Sequence, residues 1–389
     1  EDKPIREYPL GLLGAHVIGY LSEVVEQEVG CREGVCYLAG MMIGRAGVER
    51  SFEARLKGRD GGSLREMDAL GNVVRELGKN KPESGSDITL SLDSKLQRAM
   101  YDALAGKKGS AVALDMQGRV LGLVSSPAYD PKRVAEYVAD TQQLYFLNRA
   151  IAGVYPPGSV FKMVSGYSGL ESGTIDSATE IEDIGEIKIG EYSYATWNYD
   201  RTGTKEGKLN FERALARSND IYFYKLGEMT GIANLVKMAR RFGVGESTGI
   251  ELAGEAKGIL PDPLWKERTT GERWFLGNTY HFSIGQGDIL MTPLQVARMT
   301  LGTISGRLCE VSLLKDAQPE CSDLGLASQH IETIKAGMKQ TCQPGGTGFP
   351  FFNFEPYVLC KTGTAQHAGQ KDADDLPHSW ITVAYPGEN

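Results

Sequence analysis

The sequence predicts an α+β fold, in which segments far apart in the chain complete the β-structure. Two strands come early, at 110–114 and 120–124, and the turn 115–118 joins them as a hairpin. A long middle part then carries apolar residues mostly at helical spacing. Strands return late, at 357–361 and 379–385. Early strands, many helices and late strands together are typical of an α+β domain.

The first 80 residues are polar and glycine-rich, with only short apolar pieces. Short helices are predicted at 23–29 and 48–56, and nothing in this part has the composition of an active site. Residues 80–86 combine proline, glycine and polar side chains, which predicts a linker. We therefore expect a structural module at 1–80 and a larger domain at 81–389.

Within the larger domain, alternation at 88–92 predicts a strand, and apolar spacing at 94–104 predicts a helix. A central helix is predicted to begin at Ser159. The same spacing predicts further helices at 211–229, 232–242, 294–303 and 330–340.

Composition excludes several classes of protein. A chain of 389 residues that is 41% hydrophobic and 24% charged has ordinary globular composition, with room for two or three domains. The net charge is −8 and no basic run occurs, so nucleic acid is not an expected partner. No apolar stretch reaches the roughly 18–20 residues that a membrane span requires.

The cysteines and histidines give no metal pattern. Cys31 and Cys36 have the wrong spacing for a paired-thiol zinc site, and no histidine lies near them. A local disulfide between them and two free thiols both remain open. The five histidines show no ligand spacing, so a surface or core role is favoured.

The segment 155–162, Tyr-Pro-Pro-Gly-Ser-Val-Phe-Lys, has the pattern of an activated serine. Residues three apart on a helix share a face, so Ser159 Oγ and Lys162 Nζ can meet. The amino end of that helix favours negative charge beside Ser159. A lysine half-buried under apolar neighbours can be driven to its neutral form and act as a base. The segment therefore predicts a serine nucleophile.

Two similar patterns elsewhere are rejected. Ser312 and Lys315 repeat the Ser-x-x-Lys spacing, but they lie in a predicted strand or loop, where an odd spacing separates the side chains. Residues 201–204, Arg-Thr-Gly-Thr, lie in a polar loop and precede the second motif described next.

Two further motifs supply what an acylating serine requires. Ser-Asn-Asp at 218–220 lies in a helical stretch, and the Ser218 hydroxyl can carry a proton to a leaving group. Lys-Thr-Gly-Thr at 361–364 ends an apolar strand. Lys361 supplies a cation for a negatively charged substrate terminus, and the threonines around it supply hydroxyl donors.

A tetrahedral oxyanion needs backbone N–H donors. The strand edge at Thr364 and the helix start at Ser159 can supply one each if they face each other. Gly363 lets backbone or substrate approach closely. Trp197 and Trp380 can line the cleft, although an aromatic residue near a strand end is also typical of the core.

The order Ser-x-x-Lys, Ser-x-Asp, Lys-Thr-Gly resembles the signature of penicillin-binding proteins and serine β-lactamases. Other segments extend the resemblance to the class B penicillin-binding proteins over nearly the whole chain: 8–20, 47–58, 148–150, 283–287, 292–295, 345–348 and 378–380. Residues 222–227, residues 274–279 and Asp220 resemble the elongation type, which crosslinks the lateral wall.

The resemblance implies a transpeptidase domain, an antiparallel sheet flanked by helices, that follows an elongated non-catalytic module of the pedestal or dimerisation type. It also implies D,D-transpeptidation. Ser159 would attack the penultimate D-Ala carbonyl of a peptidoglycan stem peptide, and an amine from a neighbouring stem would resolve the acyl-enzyme. Penicillins, which mimic D-Ala-D-Ala, would acylate the same serine.

Roles for individual residues follow from the same resemblance. Lys162 would be the base, Ser218 the proton relay, and Asp220 the partner that orients lysine or substrate. The remaining residues expected to bind substrate are Lys361, Thr362, Thr364 and Asn219. Some elongation-type members have a cysteine in the middle of the second motif, with acidic and histidine partners for zinc. This chain has Asn219 there and no histidine between His16 and His281, so we predict no such metal and no cofactor.

The resemblance further implies a membrane helix before this chain, and after it a strand that lies between the first hairpin and the strand of Trp380. We therefore expect an excerpt of an extracytoplasmic, membrane-anchored protein whose partner is a membrane glycosyltransferase of the elongation complex. A β-lactamase or a sensor on its fold, a carboxypeptidase, and a non-catalytic scaffold acting through 1–80 remain the alternatives.

Overall fold

The computed structural model describes residues 5–32, 35–366 and 376–385. Its first part contains short strands and helices in alternation. The strands are β1 (Leu21–Glu23), β2 (Gly30–Arg32), β3 (Val35–Tyr37), β4 (Met42–Gly44), β5 (Gly62–Met67) and β6 (Val73–Asn80). The helices are α1 (Ala15–Ile18), α2 (Gly47–Ser51) and α3 (Glu53–Leu56), and single 3₁₀ turns occupy Gly11–Leu13 and Glu26–Glu28.

Two features of this part differ from the sequence prediction. The helix predicted at 23–29 is wrong: the segment contains the end of β1 and a 3₁₀ turn. Arg45 holds it by bonding Glu28 Oε1 at 2.5 Å and Glu23 O at 2.7 Å, and these distant contacts override local propensity. The β5–β6 hairpin was not predicted, because both faces are exposed and the sequence has no in-and-out alternation.

The first part of the chain packs directly on the larger domain. Val17 and Val48 share an apolar cluster with Val120 and Leu123 of the early hairpin. Gln97 Nε2 donates at 2.7 Å both to Leu13 O and to Leu123 O, which links the two parts. The N-terminal residues therefore help to support the hairpin.

His16 lies buried at this contact, where its Nε2 is 2.8 Å from Tyr145 O. Burial, and then the charge of Arg149, lowers the pKa of His16 from about 6.5 to about 4. The unfolded chain therefore binds more protons between these values. The contribution of His16 to stability should be constant above about pH 7 and fall as the pH drops from 6.5 towards 4, by on the order of 3 kcal/mol.

Denaturant unfolding at a series of pH values measures this effect. His16→Gln keeps an amide donor but does not titrate, so its stability should depend less steeply on pH than that of the wild type over the same interval. Parallel pH dependences for the two proteins would show that another group is responsible.

The larger domain has many more helices than strands. Its helices are α4 (Ser94–Leu104), α5 (Ala135–Val138), α6 (Lys162–Glu171), α7 (Trp197–Thr202), α8 (Phe211–Arg217), α9 (Asp220–Thr230), α10 (Ile232–Arg241), α11 (Pro263–Thr270), α12 (Leu276–Ser283), α13 (Pro293–Ser305) and α14 (Ser328–Thr341). Short 3₁₀ turns occupy Gly158–Phe161 and Phe349–Phe351. Among the described residues, no helix is both long and apolar enough to cross a bilayer.

The strands of this domain are β7 (Gly109–Leu114), β8 (Val120–Ser126), β9 (Ile181–Asp183), β10 (Glu186–Ile189), β11 (Tyr192–Ala195), β12 (Gly207–Leu209), β13 (Arg307–Cys309), β14 (Cys321–Asp323), β15 (Leu359–Ala365) and β16 (His378–Ala384). The strand predicted at 88–92 is reduced to a single bridge between Leu90 and Leu314. The α+β class is confirmed.

The predicted early hairpin is β7–β8, and the late strands pair as β15–β16, both antiparallel. The two hairpins form separate two-stranded sheets, and α13 packs against a strand of each. In the described ranges no strand bridges them, so the two hairpins do not form one continuous sheet there.

Helix α6 is the centre of the largest core. Its side chains Met163, Val164 and Tyr167 are fully buried. Gly166 lets Phe211 of α8 pack closely, since a Cβ there would lie 2.5 Å from the Phe211 ring. Close packing on all sides fixes the position of a buried helix. The residues at the amino end of α6 are therefore fixed in position as well.

All six cysteines are paired, as Cys31–Cys36, Cys309–Cys321 and Cys342–Cys360. For Cys31 and Cys36, the sequence left a local disulfide and two free thiols open, and the structure has the disulfide. The third joins the end of α14 to β15, one residue before Lys361.

Candidate active site

Ser159 lies in the 3₁₀ turn Gly158–Phe161, which leads into α6 at Lys162. The central helix therefore begins three residues later than predicted. Gly158 has φ +58°, and a Cβ there would lie 2.8 Å from Thr364 O, so the position needs glycine. This close approach brings the serine turn against β15.

Lys162 is fully buried at the start of α6. Its Nζ donates to Asp220 Oδ1 at 2.6 Å, to Ser218 O at 2.9 Å and to Ser218 Oγ at 3.4 Å. Burial lowers the pKa of Lys162, and the Asp220 carboxylate opposes that shift. Within the described part of the chain, no hydrogen bond joins Lys162 Nζ directly to Ser159 Oγ.

Ser218 occupies a break between α8 and α9, with φ +54°. The motif was predicted to lie inside a helical stretch, but Asn219 ends that stretch by accepting from Tyr222 N at 2.9 Å and so capping α9. The break sets Ser218 apart from both helices. Its hydroxyl can therefore meet groups from other elements.

The side chain of Asn219 is used within the fold. Besides capping α9, its Nδ2 donates to Asp183 Oδ2 at 3.0 Å, and the residue is 1% exposed. Each polar atom of the amide has a protein partner and the residue is almost fully buried, so this structure does not support the expected contact between Asn219 and substrate. Asn219 fixes the turn that carries Ser218.

Lys361 approaches Ser218 from β15 and is also fully buried. Its Nζ donates to Ser218 Oγ at 2.9 Å and to Thr362 O at 2.8 Å. Burial holds the pKa of Lys361 well below its usual value, and the neighbouring Lys162 charge lowers it further. Two lysines from different elements thus converge on one hydroxyl.

The remaining residues of the third motif form the edge beside the serine turn. Gly363 pairs with Trp380 in register, and a Cβ there would lie 3.2 Å from Val160 of the serine turn. Thr364 is exposed, and its carbonyl accepts from Gln286 Nε2 at 3.2 Å. The structure thus brings the strand edge and the helix start together.

The two tryptophans are half-buried, and each contacts a residue in or next to a motif. Trp197 donates from Nε1 to Arg217 O at 3.1 Å, and its backbone N lies 3.3 Å from Asp220 Oδ2. Trp380 donates from Nε1 to Pro156 O at 3.0 Å. Each ring is fixed next to one motif while keeping part of its surface accessible.

Sequence reasoning missed two residues that hold the motifs in place. Asp183 of β9 accepts from Asn219, and no spacing in its segment marks it. Thr347 contacts Thr362 from a glycine-rich loop. This loop, at 345–348, was part of the family resemblance, but no role was predicted for its residues. The rejected Ser312 hydrogen-bonds with Glu251, remote from the three motifs. Among the described residues, no cluster of three or more histidine, cysteine, aspartate or glutamate side chains could hold a metal ion.

Comparison with known proteins agrees with this geometry. Residues 109–388 match the family described as the penicillin binding protein transpeptidase domain. The chain belongs to this family. Residues 1–90 match the penicillin-binding protein dimerisation domain, which covers the amino-terminal part of this penicillin-binding protein.

Among curated relatives, the peptidoglycan D,D-transpeptidase MrdA of Acinetobacter baumannii is 39% identical over 77% of this chain and 46% of its own length. MrdA of Escherichia coli K12 is 34% identical over 94% of this chain and 62% of its own. This penicillin-binding protein chain therefore spans about half to three fifths of the length of these relatives.

Solved structures match over nearly the whole chain. Penicillin-binding protein PBP2 of Helicobacter pylori, in complex with MreC, gives a TM-score of 0.87 at 30% identity, covering 98% of this chain and 72% of that one. PBP2 of Pseudomonas aeruginosa with WCK 5153 gives 0.82 at 30% identity, covering 99% and 85%. The expected class B, elongation-type assignment is confirmed.

Proposed function

We propose that this chain carries the D,D-transpeptidase activity that crosslinks peptidoglycan stem peptides during wall elongation, through an acyl-enzyme on Ser159. One observation carries the proposal. Ser218 Oγ lies between Lys162 Nζ at 3.4 Å and Lys361 Nζ at 2.9 Å, beside the turn that holds Ser159. Two buried amines and a hydroxyl form a path for the protons that acyl transfer must move.

In the acylation step, neutral Lys162 takes the Ser159 proton as Oγ attacks the penultimate D-Ala carbonyl. Burial favours the neutral amine, because it disfavours charge on Lys162. The C–N bond then breaks, and a proton passes through Ser218 to the nitrogen of the departing D-Ala. The products are free D-Ala and an ester on Ser159.

In the second step, an amine of a neighbouring stem attacks that ester. The amine gives up a proton to the same lysine, the C–O bond breaks, and Ser159 Oγ regains its hydrogen. We assign stabilisation of the oxyanion in both steps to the backbone N–H groups of Ser159 and Thr364. The close approach of Gly158 to Thr364, which brings the serine turn against β15, supports this assignment. No metal or cofactor enters the proposal.

Recognition of the substrate carboxylate is assigned to β15. Thr364 is exposed and Thr362 half-buried at the strand edge, so both hydroxyls can donate to a carboxylate in the cleft. Lys361, when protonated, supplies positive charge at this strand edge, although its burial lowers its pKa. Asp220 orients Lys162 through their 2.6 Å contact. Trp197 and Trp380 form the sides of the cleft.

For the whole protein, we propose a non-catalytic module at 1–80, a transpeptidase domain at 81–389 and an extracytoplasmic position at the membrane. The described part of the first module places no side chain in the site. A relative solved as a peptidoglycan synthase complex that coordinates polymerization and crosslinking supports a membrane glycosyltransferase as partner.

Incubation with a penicillin, followed by intact and peptide mass measurement over hours, tests the proposal. We expect a stable adduct on the peptide that contains Ser159, and none in Ser159→Ala. An adduct lost within seconds would indicate a β-lactamase. If the folded protein forms no adduct, the catalytic proposal is wrong and a non-catalytic scaffold is the remaining alternative. A D-Ala-D-Ala peptide given with an amine acceptor separates transpeptidase from carboxypeptidase by its product.

A further inference from the structure

Thr347 links the third motif to the helix that precedes the second motif, although it belongs to neither. It lies in the loop between α14 and the 3₁₀ turn Phe349–Phe351. Its Oγ1 is 2.7 Å from Thr362 Oγ1 on β15, and it donates to Ala216 O of α8 at 3.4 Å. The loop therefore joins the strand that carries Lys361 to the helix that ends before Ser218.

The loop around Thr347 is fixed on both sides. Gly348 N donates to Thr341 O at 2.8 Å, and a Cβ on Gly348 would lie 2.6 Å from Cys360 Sγ, so only glycine fits. Arg217 Nη1 donates to Gly345 O at 3.2 Å on the other side. Thr347 Oγ1 is therefore held in place and does not simply sample solvent.

The two threonine hydroxyls share two protons. When no anion is bound, Thr362 can donate to Thr347, and Thr347 can donate to Ala216 O, so both protons are used. A carboxylate in the cleft needs the proton of Thr362, because a carboxylate only accepts. Thr347 must then turn its own proton towards Thr362, and its long bond to Ala216 O is given up.

We propose that Thr347 is a positioning residue for carboxylate recognition: it donates to Thr362 Oγ1 and so directs the Thr362 hydroxyl at the substrate carboxylate. This inference rests on the proposed function, in which Thr362 binds that carboxylate. A hydroxyl that accepts one hydrogen bond donates a stronger one. Without Thr347, Thr362 loses both its fixed orientation and this strengthening.

The test compares two penicillins on matched variants. The second-order rate constant for acylation of Ser159 is measured with benzylpenicillin, which has a free carboxylate, and with its methyl ester. Thr347→Val removes the hydroxyl at nearly constant volume, and Thr347→Ser restores it. Thr300→Val, which loses a bond to Val296 O in α13, is the control for a lost threonine hydroxyl elsewhere.

We expect Thr347→Val to slow acylation by benzylpenicillin about five- to tenfold, mainly through weaker initial binding. Acylation by the ester should stay within twofold of wild type, and Thr347→Ser should recover most of the loss. Thr300→Val should be acylated by both penicillins at the wild-type rate. If the valine variant does not fold, Thr347→Ala gives the same comparison.

Two results overturn the inference while leaving the proposed function intact: an equal loss for acid and ester, which indicates a structural role, or no loss at all. Failure of the wild-type protein to form any adduct on Ser159 overturns the proposed function itself, and this inference with it. Melting temperatures of the variants confirm that the compared proteins are folded.

Discussion

Replacing Lys162 with methionine is expected to slow acylation of Ser159 by about a thousandfold. Methionine has nearly the length of lysine but cannot accept a proton, so the serine would lose its base. The partly buried Asp220 carboxylate would also lose the cation that lies 2.6 Å away. The rate of penicillin adduct formation, measured by mass spectrometry, gives the size of the effect.

Lys266 provides the control for this substitution. It is another buried lysine, with Nζ 3.0 Å from Asp288 and 3.1 Å from Glu272, outside the three motifs. Lys266→Met should lose both ion pairs and keep the wild-type acylation rate. A folded Lys162→Met protein that is acylated within tenfold of the wild-type rate would exclude Lys162 as the base.

Truncating Phe223 to alanine is expected to destabilise the protein by about 3–5 kcal/mol. The ring is fully buried in the core, 6.1 Å from the Phe211 ring and 5.7 Å from the Tyr222 ring. It also lies 5.4 Å from Lys162 Nζ, so the cavity would open beside the amine that we propose as the base. Denaturant unfolding measures the change in free energy.

Phe349→Ala is the matched control, because that side chain is 76% exposed. Its free energy of unfolding should stay within about 0.5 kcal/mol of wild type. If both alanine variants lose the same stability, the packing assigned to Phe223 does not support the core around α6.

Much of the local structure follows from short-range patterns. The helix at α4 begins where Asp93 caps it, with Oδ1 accepting from Lys95 N and Leu96 N. The helix at α13 begins at Thr292, whose hydroxyl accepts from Gln295 N. These signals act over three or four residues and are readable in a sequence. The helix predicted at 23–29 failed because a residue far along the chain, Arg45, determines that segment.

The sequence by itself determined the fold class, the family resemblance and the three motifs, because motif order and side-chain periodicity are properties of the chain. Only the tertiary structure decided how the motifs meet. Lys361 bonds Ser218 across 143 residues, and Asn219 turns inward to Asp183. Such contacts depend on how distant elements pack, and local spacing carries no information about them. The contact between Thr347 and Thr362 was decided in the same way.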